Sequence, residues 1–147
     1  MKQTKTIASR AQMAAFAANI AANLRSGDLI LLNGPLGAGK TFLSQGILEA
    51  LGVTELVTSP TFVMLKSYQG KLPINHVDAY RLLDLAKPLQ AFEDLDIELD
   101  DSVTIVEWGE PFDVTGQALH IDIELGELEN RTVIIHGSDL RWGALTI

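Results

Sequence analysis

Apolar side chains recur at helical spacing near the start of the chain, at Met13, Phe16, Ile20 and Leu24. This spacing predicts an amphipathic helix over residues 8–25 that covers one face of a sheet, with Ser9 as its N-cap. A near-continuous aliphatic run at residues 28–33 is typical of a strand covered on both faces. Residues 40–51 return to a helical pattern that Gly52 ends.

The rest of the chain reads mainly as strands joined by short turns. Residues 61–68 and 72–80 flank a Gly turn and predict a hairpin, and a second hairpin is expected from residues 118–125 and 131–136. Between the hairpins, residues 82–99 indicate one or two short helices and Val103–Val106 a buried strand. The pattern predicts one α/β domain over residues 1–147, with a mixed, mostly parallel central sheet flanked by helices.

The first strand runs directly into a P-loop. Gly34, Gly39, Lys40 and Thr41 fall on the spacing G-x-x-x-x-G-K-[ST] between a strand pattern and a helix pattern. Such a loop cradles phosphate with backbone N–H groups, and its lysine reaches the β- and γ-phosphates. The threonine hydroxyl is placed to ligate Mg²⁺. An ordinary Gly-rich turn does not explain the Lys-Thr pair, so we expect nucleoside triphosphate binding and a P-loop NTPase-like fold. Pro35 removes one N–H at the start of the loop.

Composition narrows the possible partners. The chain of 147 residues has no cysteine, which excludes disulfides, a thiol nucleophile and Cys-based metal sites. Its net charge of −8 argues against direct binding of nucleic acid, because such binding depends on Lys and Arg that neutralise phosphates. Any contact with RNA is therefore expected to be made through a partner. Residues 93–101 contain six acids and form either a solvated face or a docking surface for a basic partner. No apolar run approaches membrane-spanning length, and we expect a soluble, cytoplasmic protein.

Two acids stand where apolar strand patterns end. Asp78 and Glu107 each follow such a run, and either is placed to act as the acid that holds Mg²⁺ or its waters. Thr61, in the loop after the P-loop helix, is placed like a switch threonine, although Ser-Pro-Thr is also a common turn. Trp108 either faces the nucleotide or fills the core, and its position favours the core. The three histidines are not at metal spacing and are interpreted as structural.

Two sequence motifs that are absent indicate which nucleotide is bound and which reaction is catalysed. The guanine-reading Asn-Lys-x-Asp motif is missing, and no Arg-rich lid segment of the kind that small-molecule kinases carry is visible. An ATPase that drives a partner is therefore favoured. A small-molecule kinase and a non-catalytic nucleotide-binding module are the alternatives.

Four blocks together resemble the TsaE family, also called YjeE. These are the P-loop, Ser59-Pro60-Thr61-Phe62, His76-Val77-Asp78-Ala79-Tyr80-Arg81-Leu82, and Val106-Glu107-Trp108. The chain departs from the family pattern at Pro35, at Ala79 and around residues 84–92. The family comprises small P-loop ATPases of bacterial tRNA threonylcarbamoyladenosine synthesis.

The resemblance implies a cofactor, partners and residue roles. It implies binding of ATP and Mg²⁺ with weak hydrolysis, and action with the TsaD–TsaB pair, which modifies adenosine 37 of tRNA. By position, the phosphates would be held by Leu36, Gly37, Ala38, Gly39, Lys40 and Thr41. Thr41 and Glu107 would ligate Mg²⁺, Lys40 and Asp78 would support hydrolysis, and Thr61 would be the switch threonine. Arg10 and Arg131 would flank the adenine.

Overall fold

A single mixed sheet of seven strands runs through the part of the chain that the computed structural model describes, residues 1–55, 57 and 64–147. Its spatial order is β1-β7-β6-β2-β5-β4-β3. The strands are β1 (Lys2–Ile7), β2 (Leu29–Asn33), β3 (Leu65–Gln69), β4 (Pro73–Asp78), β5 (Val103–Glu107), β6 (Leu119–Leu125) and β7 (Arg131–His136).

The centre of the sheet is parallel and its margins are antiparallel. Strand β2 pairs in parallel with β5 and β6, and β4 pairs in parallel with β5. The antiparallel pairs are β3–β4, β6–β7 and β1–β7. The mixed sheet, the buried P-loop strand and the two hairpins are thus confirmed in the described residues.

The described helices are α1 (Arg10–Ala22), α2 (Lys40–Ala50), α3 (Pro88–Glu93) and α4 (Asp139–Trp142). Single 3₁₀ turns lie at Tyr80–Leu82, Leu99–Asp101 and Glu110–Phe112. Helix α1 is capped by Ser9, whose Oγ accepts from the Gln12 N–H at 3.2 Å. Helices α1 and α2 pack closely, since a Cβ at Gly46 would lie 2.8 Å from the Ala17 Cβ.

The sheet separates two apolar clusters. The larger one, between the sheet and helices α1 and α2, includes Phe16, Ile30, Leu43 and Ile105. The smaller one lies on the opposite face, around Leu31, Phe92 and Phe112. Alternate residues of β2 therefore serve opposite clusters, which explains why this strand reads as a continuous apolar run.

The apolar pattern did not predict β1 or α4. Strand β1 is mostly exposed and buries only Ile7, so it carries almost no hydrophobic signal. It is held by pairing with β7 and by the Met1 amino group, which donates to the Gly137 carbonyl at 3.0 Å. The region of α4 is tied to the core by Arg141, which forms a two-point ion pair with buried Asp28.

The acidic stretch at residues 93–101 lies on the surface after α3. Its acidic side chains are exposed, while the aliphatic residues between them are half-buried. Exposed acids are expected of a solvated face and of a docking surface alike, so both predictions stand. Among the described residues, no helix has the length and apolar content needed to cross a membrane.

Candidate functional site

The P-loop turns sharply from β2 into α2. Gly34 has a φ of +146°, and a Cβ there would lie 2.5 Å from the Ile123 carbonyl oxygen on β6. Gly37 and Gly39 also have positive φ values, of +80° and +111°, but a Cβ at either would meet no atom of the described residues within 4 Å. The first glycine is therefore required by packing and backbone conformation, whereas the other two combine left-handed backbone with open space above the loop.

Lys40 opens α2 and folds back over the loop. Its Nζ donates to the carbonyl oxygens of Gly34 at 2.6 Å and Pro35 at 3.0 Å. The side chain is only 5% exposed, and this burial lowers the pKa of Lys40, against the opposing attraction of Glu107 and Asp78. The loop thus holds a cation at its centre, and Pro35 contributes a carbonyl to that arrangement.

Trp108 faces this cation, and the preference for a core position was wrong. Its ring centroid lies 3.8 Å from Lys40 Nζ and 5.0 Å from the ring centroid of Tyr80. The residue has a φ of +62°, and its N–H donates to the Leu32 carbonyl at 2.9 Å. The tight turn at the end of β5 therefore places the indole beside Lys40, where it lines the site.

The two predicted acids end neighbouring parallel strands. Asp78 on β4 is the register partner of Glu107 on β5, and Glu107 is also paired with Leu32 of the P-loop strand. Glu107 is 3% exposed, and its Oε1 accepts from Thr41 Oγ1 at 2.7 Å. Asp78 is half-buried, with Oδ1 accepting from the Tyr80 N–H at 3.0 Å. Both acids therefore lie beside the start of α2.

His76 contacts Glu107 in the site. The interpretation of the histidines as structural did not predict this contact. Its Nε2 lies 2.5 Å from Glu107 Oε2, and its side chain is fully buried. The available signal was its spacing, because residues two apart on a strand share a face and His76 precedes Asp78 by two. His120 and His136 lie elsewhere and stack on each other at 4.5 Å. The described residues contain no cluster of three or more acids, histidines or cysteines suited to a metal.

Two adjoining cavities flank the loop. One of about 520 Å³ is lined by Leu36, Lys40, Thr41, Asp78, Glu107 and Trp108. The other, of about 200 Å³, is lined by Ile7, Arg10, Met13, Phe42 and Arg131. Gly37, Gly39 and Phe42 border both. The P-loop therefore stands between a larger cavity that contains Asp78 and Glu107 and a smaller one that contains Arg10 and Arg131.

The predicted adenine-side arginines line the smaller cavity. Arg131 Nε donates to the Ala38 carbonyl at 3.1 Å, which braces the P-loop from β7. Arg10 is exposed, with Cζ 5.6 Å from the Phe42 ring centroid. Leu36 is 87% exposed, whereas Ala38 is buried. Thr61 lies outside the described residues, and its predicted role stays a prediction.

The chemistry of the donor set fits a magnesium-bound polyphosphate. Lys40 supplies a cation, the glycines leave room above the loop, and Thr41 and Glu107 bring a hydroxyl and a carboxylate together. Hydroxyl and carboxylate oxygens are the ligand types that Mg²⁺ prefers. If a metal recruits Thr41 Oγ1, the hydrogen bond from Thr41 to Glu107 would be replaced by their shared contact with the metal or its waters.

Comparisons with known proteins agree on one family. The family model described as "Threonylcarbamoyl adenosine biosynthesis protein TsaE" matches residues 7–133. The chain is 44% identical to the TsaE protein of Streptomyces coelicolor, over 84% of this chain and 89% of the relative. It is 43% identical to that of Bacillus subtilis, over 60% and 54% respectively.

A solved structure supports the same fold. The crystal structure of YdiB from Bacillus subtilis superposes with a TM-score of 0.78 and 28% identity, covering 99% of this chain and 91% of that one. The match to the family model, over residues 7–133, includes the P-loop and the two acids that end strands, Asp78 and Glu107. The chain belongs to the TsaE family.

Proposed function

We propose that this protein binds ATP with Mg²⁺, hydrolyses it weakly, and thereby supports a TsaD–TsaB pair in threonylcarbamoyl modification of adenosine 37 of tRNA. The observation that carries the proposal is the contact between Thr41 and Glu107 beside the P-loop lysine, in one cavity. The names of the relatives, tRNA threonylcarbamoyladenosine biosynthesis proteins, support the pathway.

The loop residues would bind the polyphosphate. Backbone N–H groups of residues 36–41 would supply donors, that of Ala38 after leaving the Pro35 carbonyl. Lys40 would exchange the carbonyls of Gly34 and Pro35 for phosphate oxygens. The lowered pKa of Lys40 has burial as its first cause, so a bound polyanion beside the amine would favour its charged form. Binding thus uses a cation that is already in place.

The two acids would divide the remaining work. A magnesium ion held there would supply positive charge against the charge that develops on the phosphate oxygens. Thr41 and Glu107 would hold the metal, and half-buried Asp78 would orient water at the cavity wall. The small cavity at Phe42 would take the base, flanked by Arg10 and Arg131.

The charge of the chain supports indirect contact with RNA. With a net charge of −8, this surface does not favour phosphate backbones, so tRNA would be bound by the partners. Acting on tRNA alongside those partners, the protein would work in the cytoplasm. A small-molecule kinase is disfavoured, because Arg10 and Arg131 are the only arginines among the described residues that line the two cavities.

The test is an ATP hydrolysis assay of the purified chain with and without a purified TsaD–TsaB pair, alongside modification of tRNA. We expect weak turnover alone, more with the pair, and loss of both readouts in Lys40→Ala. Lys5→Ala, an exposed lysine on β1, is the matched control. Full tRNA modification by Lys40→Ala would contradict the proposal, and ATP-dependent phosphorylation of a metabolite would replace it with the kinase alternative.

A further inference from the structure

His76 is buried beneath the site on the strand next to Glu107. It pairs in register with Ile105, so its side chain and that of Glu107 lie on the same face of the sheet, under α2. The ring is 0% exposed. Nε2 lies 2.5 Å from Glu107 Oε2, while Nδ1 has no hydrogen-bond partner among the described residues.

The two oxygens of Glu107 consequently have different partners. Oε1 accepts from Thr41 Oγ1, and Oε2 meets His76 Nε2. If Glu107 is ionised its carboxylate only accepts hydrogen bonds, and the contact then requires the ring proton on Nε2. The Thr41 contact is the one that metal binding would replace. The His76 contact is made with the other oxygen and would persist.

Within the described residues Nδ1 is buried and unpaired, and an unsatisfied buried polar atom costs about 1–3 kcal/mol. An apolar ring at the same position would avoid that cost if packing were the only role. It would, however, leave Oε2 of Glu107 without this donor. The arrangement favours orientation of the carboxylate over simple filling of the core.

We propose that His76 is a positioning residue that holds Oε2 of Glu107, so that Oε1 stays turned toward Thr41 and the metal that Thr41 would ligate. This inference rests on the proposed function. Hydrogen bonds to metal-ligating carboxylates typically contribute 10- to 100-fold in metal affinity or activity. His76 is therefore expected to act on the metal-dependent part of nucleotide binding.

Two polar substitutions form a matched pair. In His76→Gln the amide nitrogen can take the place of Nε2, whereas in His76→Asn the shorter amide takes the place of Nδ1 and does not reach Glu107. The probe is Mn²⁺, followed by electron paramagnetic resonance, titrated into protein saturated with a non-hydrolysable ATP analogue. We expect His76→Asn to weaken Mn²⁺ binding by about 10- to 100-fold. His76→Gln should stay within about threefold, which is about 0.6 kcal/mol.

Binding of the analogue without metal is the readout that separates positioning from general damage. It should change by less than about threefold in both variants, since a loss of fold would lower binding with and without metal alike. Equal Mn²⁺ affinities in wild type and His76→Asn would overturn the inference and leave the proposed function intact. Failure of the wild-type protein to bind the analogue would overturn the proposed function itself.

A spectroscopic measurement tests the contact in the wild-type protein even where His76→Asn does not fold. A buried imidazole N–H bonded to a carboxylate should give a slowly exchanging, far-downfield proton resonance coupled to the His76 Nε2 nitrogen. The resonance should move in Glu107→Ala. If Nδ1 rather than Nε2 carries the only ring proton, the inference is wrong.

Discussion

Thr41 Oγ1 donates to Glu107 Oε1 at 2.7 Å, although the two residues are 66 positions apart. Parallel pairing of β2 with β5 brings them together, because the P-loop leaves the carboxyl end of one strand and Glu107 ends the other. The contact joins the first turn of α2 to the sheet. In our account it is also the place where metal, phosphate and carboxylate meet.

Replacing Glu107 should separate catalysis from binding. We expect Glu107→Ala to lose ATP hydrolysis while nucleotide affinity changes by no more than about tenfold, or about 1.4 kcal/mol. The phosphate contacts of Lys40 and the loop do not depend on this carboxylate. Turnover and calorimetric affinity would be compared with Glu110→Ala, an exposed acid nearby. Unchanged turnover in Glu107→Ala would remove its catalytic role.

The first glycine of the loop should tolerate no side chain. Gly34→Ala combines a φ of +146° with a Cβ only 2.5 Å from the Ile123 oxygen, whereas Gly116→Ala has a φ of +70° and open space. Both variants incur backbone strain, and only Gly34→Ala adds overpacking, of about 1–3 kcal/mol. Urea unfolding should therefore show a larger loss of unfolding free energy for Gly34→Ala. Equal losses would show that the contact with β6 relaxes freely.

Trp108 should report the movement of Lys40. When Lys40 leaves the indole for phosphate, the ring loses a cation that stands 3.8 Å from its centroid, and its emission should change. Trp142 is buried and donates from Nε1 to the Gln117 carbonyl, far from the loop in the sequence and outside both cavities that border it. The nucleotide-dependent change should thus survive Trp142→Phe and vanish in Trp108→Phe. A signal retained in Trp108→Phe would contradict the proposed exchange.

The ion pair of Arg141 and Asp28 should govern stability rather than activity. Arg141 donates from Nε to Oδ1 at 2.7 Å and from Nη2 to Oδ2 at 2.5 Å, and Asp28 is 6% exposed. Arg141→Ala leaves a buried carboxylate without its cation and should lower the unfolding free energy by about 3–5 kcal/mol. Nucleotide affinity, measured where the variant is folded, should not change.

The control for this pair is a double-mutant cycle. Asp28→Ala with Arg141→Ala should cost less than the sum of the two single changes, because neither charge is then left unpaired. Strict additivity would show that the two side chains do not stabilise each other.

The sequence predicted those features that depend on local patterns. Strand β2 and helix α2 follow from a continuous apolar run, a Gly-rich loop and helical spacing, and the motif indicates which residues would bind phosphate. Asp78 and Glu107 were found because acids that end parallel strands gather at one edge of the sheet.

Other features depend on contacts that no local pattern encodes. Strand β1 is an exposed edge, held by pairing with β7 at the far end of the chain. Trp108 follows an apolar run and so suggested the core, but a positive φ redirects its ring. The role of His76 depends on the register between β4 and β5, which fixes the distance to Glu107.

Whether the P-loop is the nucleotide site is tested most directly by calorimetric titration of ATP with Mg²⁺ into wild-type protein, Lys40→Ala and the surface control Lys5→Ala. We expect wild type and Lys5→Ala to bind ATP with Mg²⁺ and Lys40→Ala to show no measurable binding, because its loop lacks the cation that would reach the phosphates. Binding by Lys40→Ala with wild-type affinity would contradict the assignment of the nucleotide site to the P-loop.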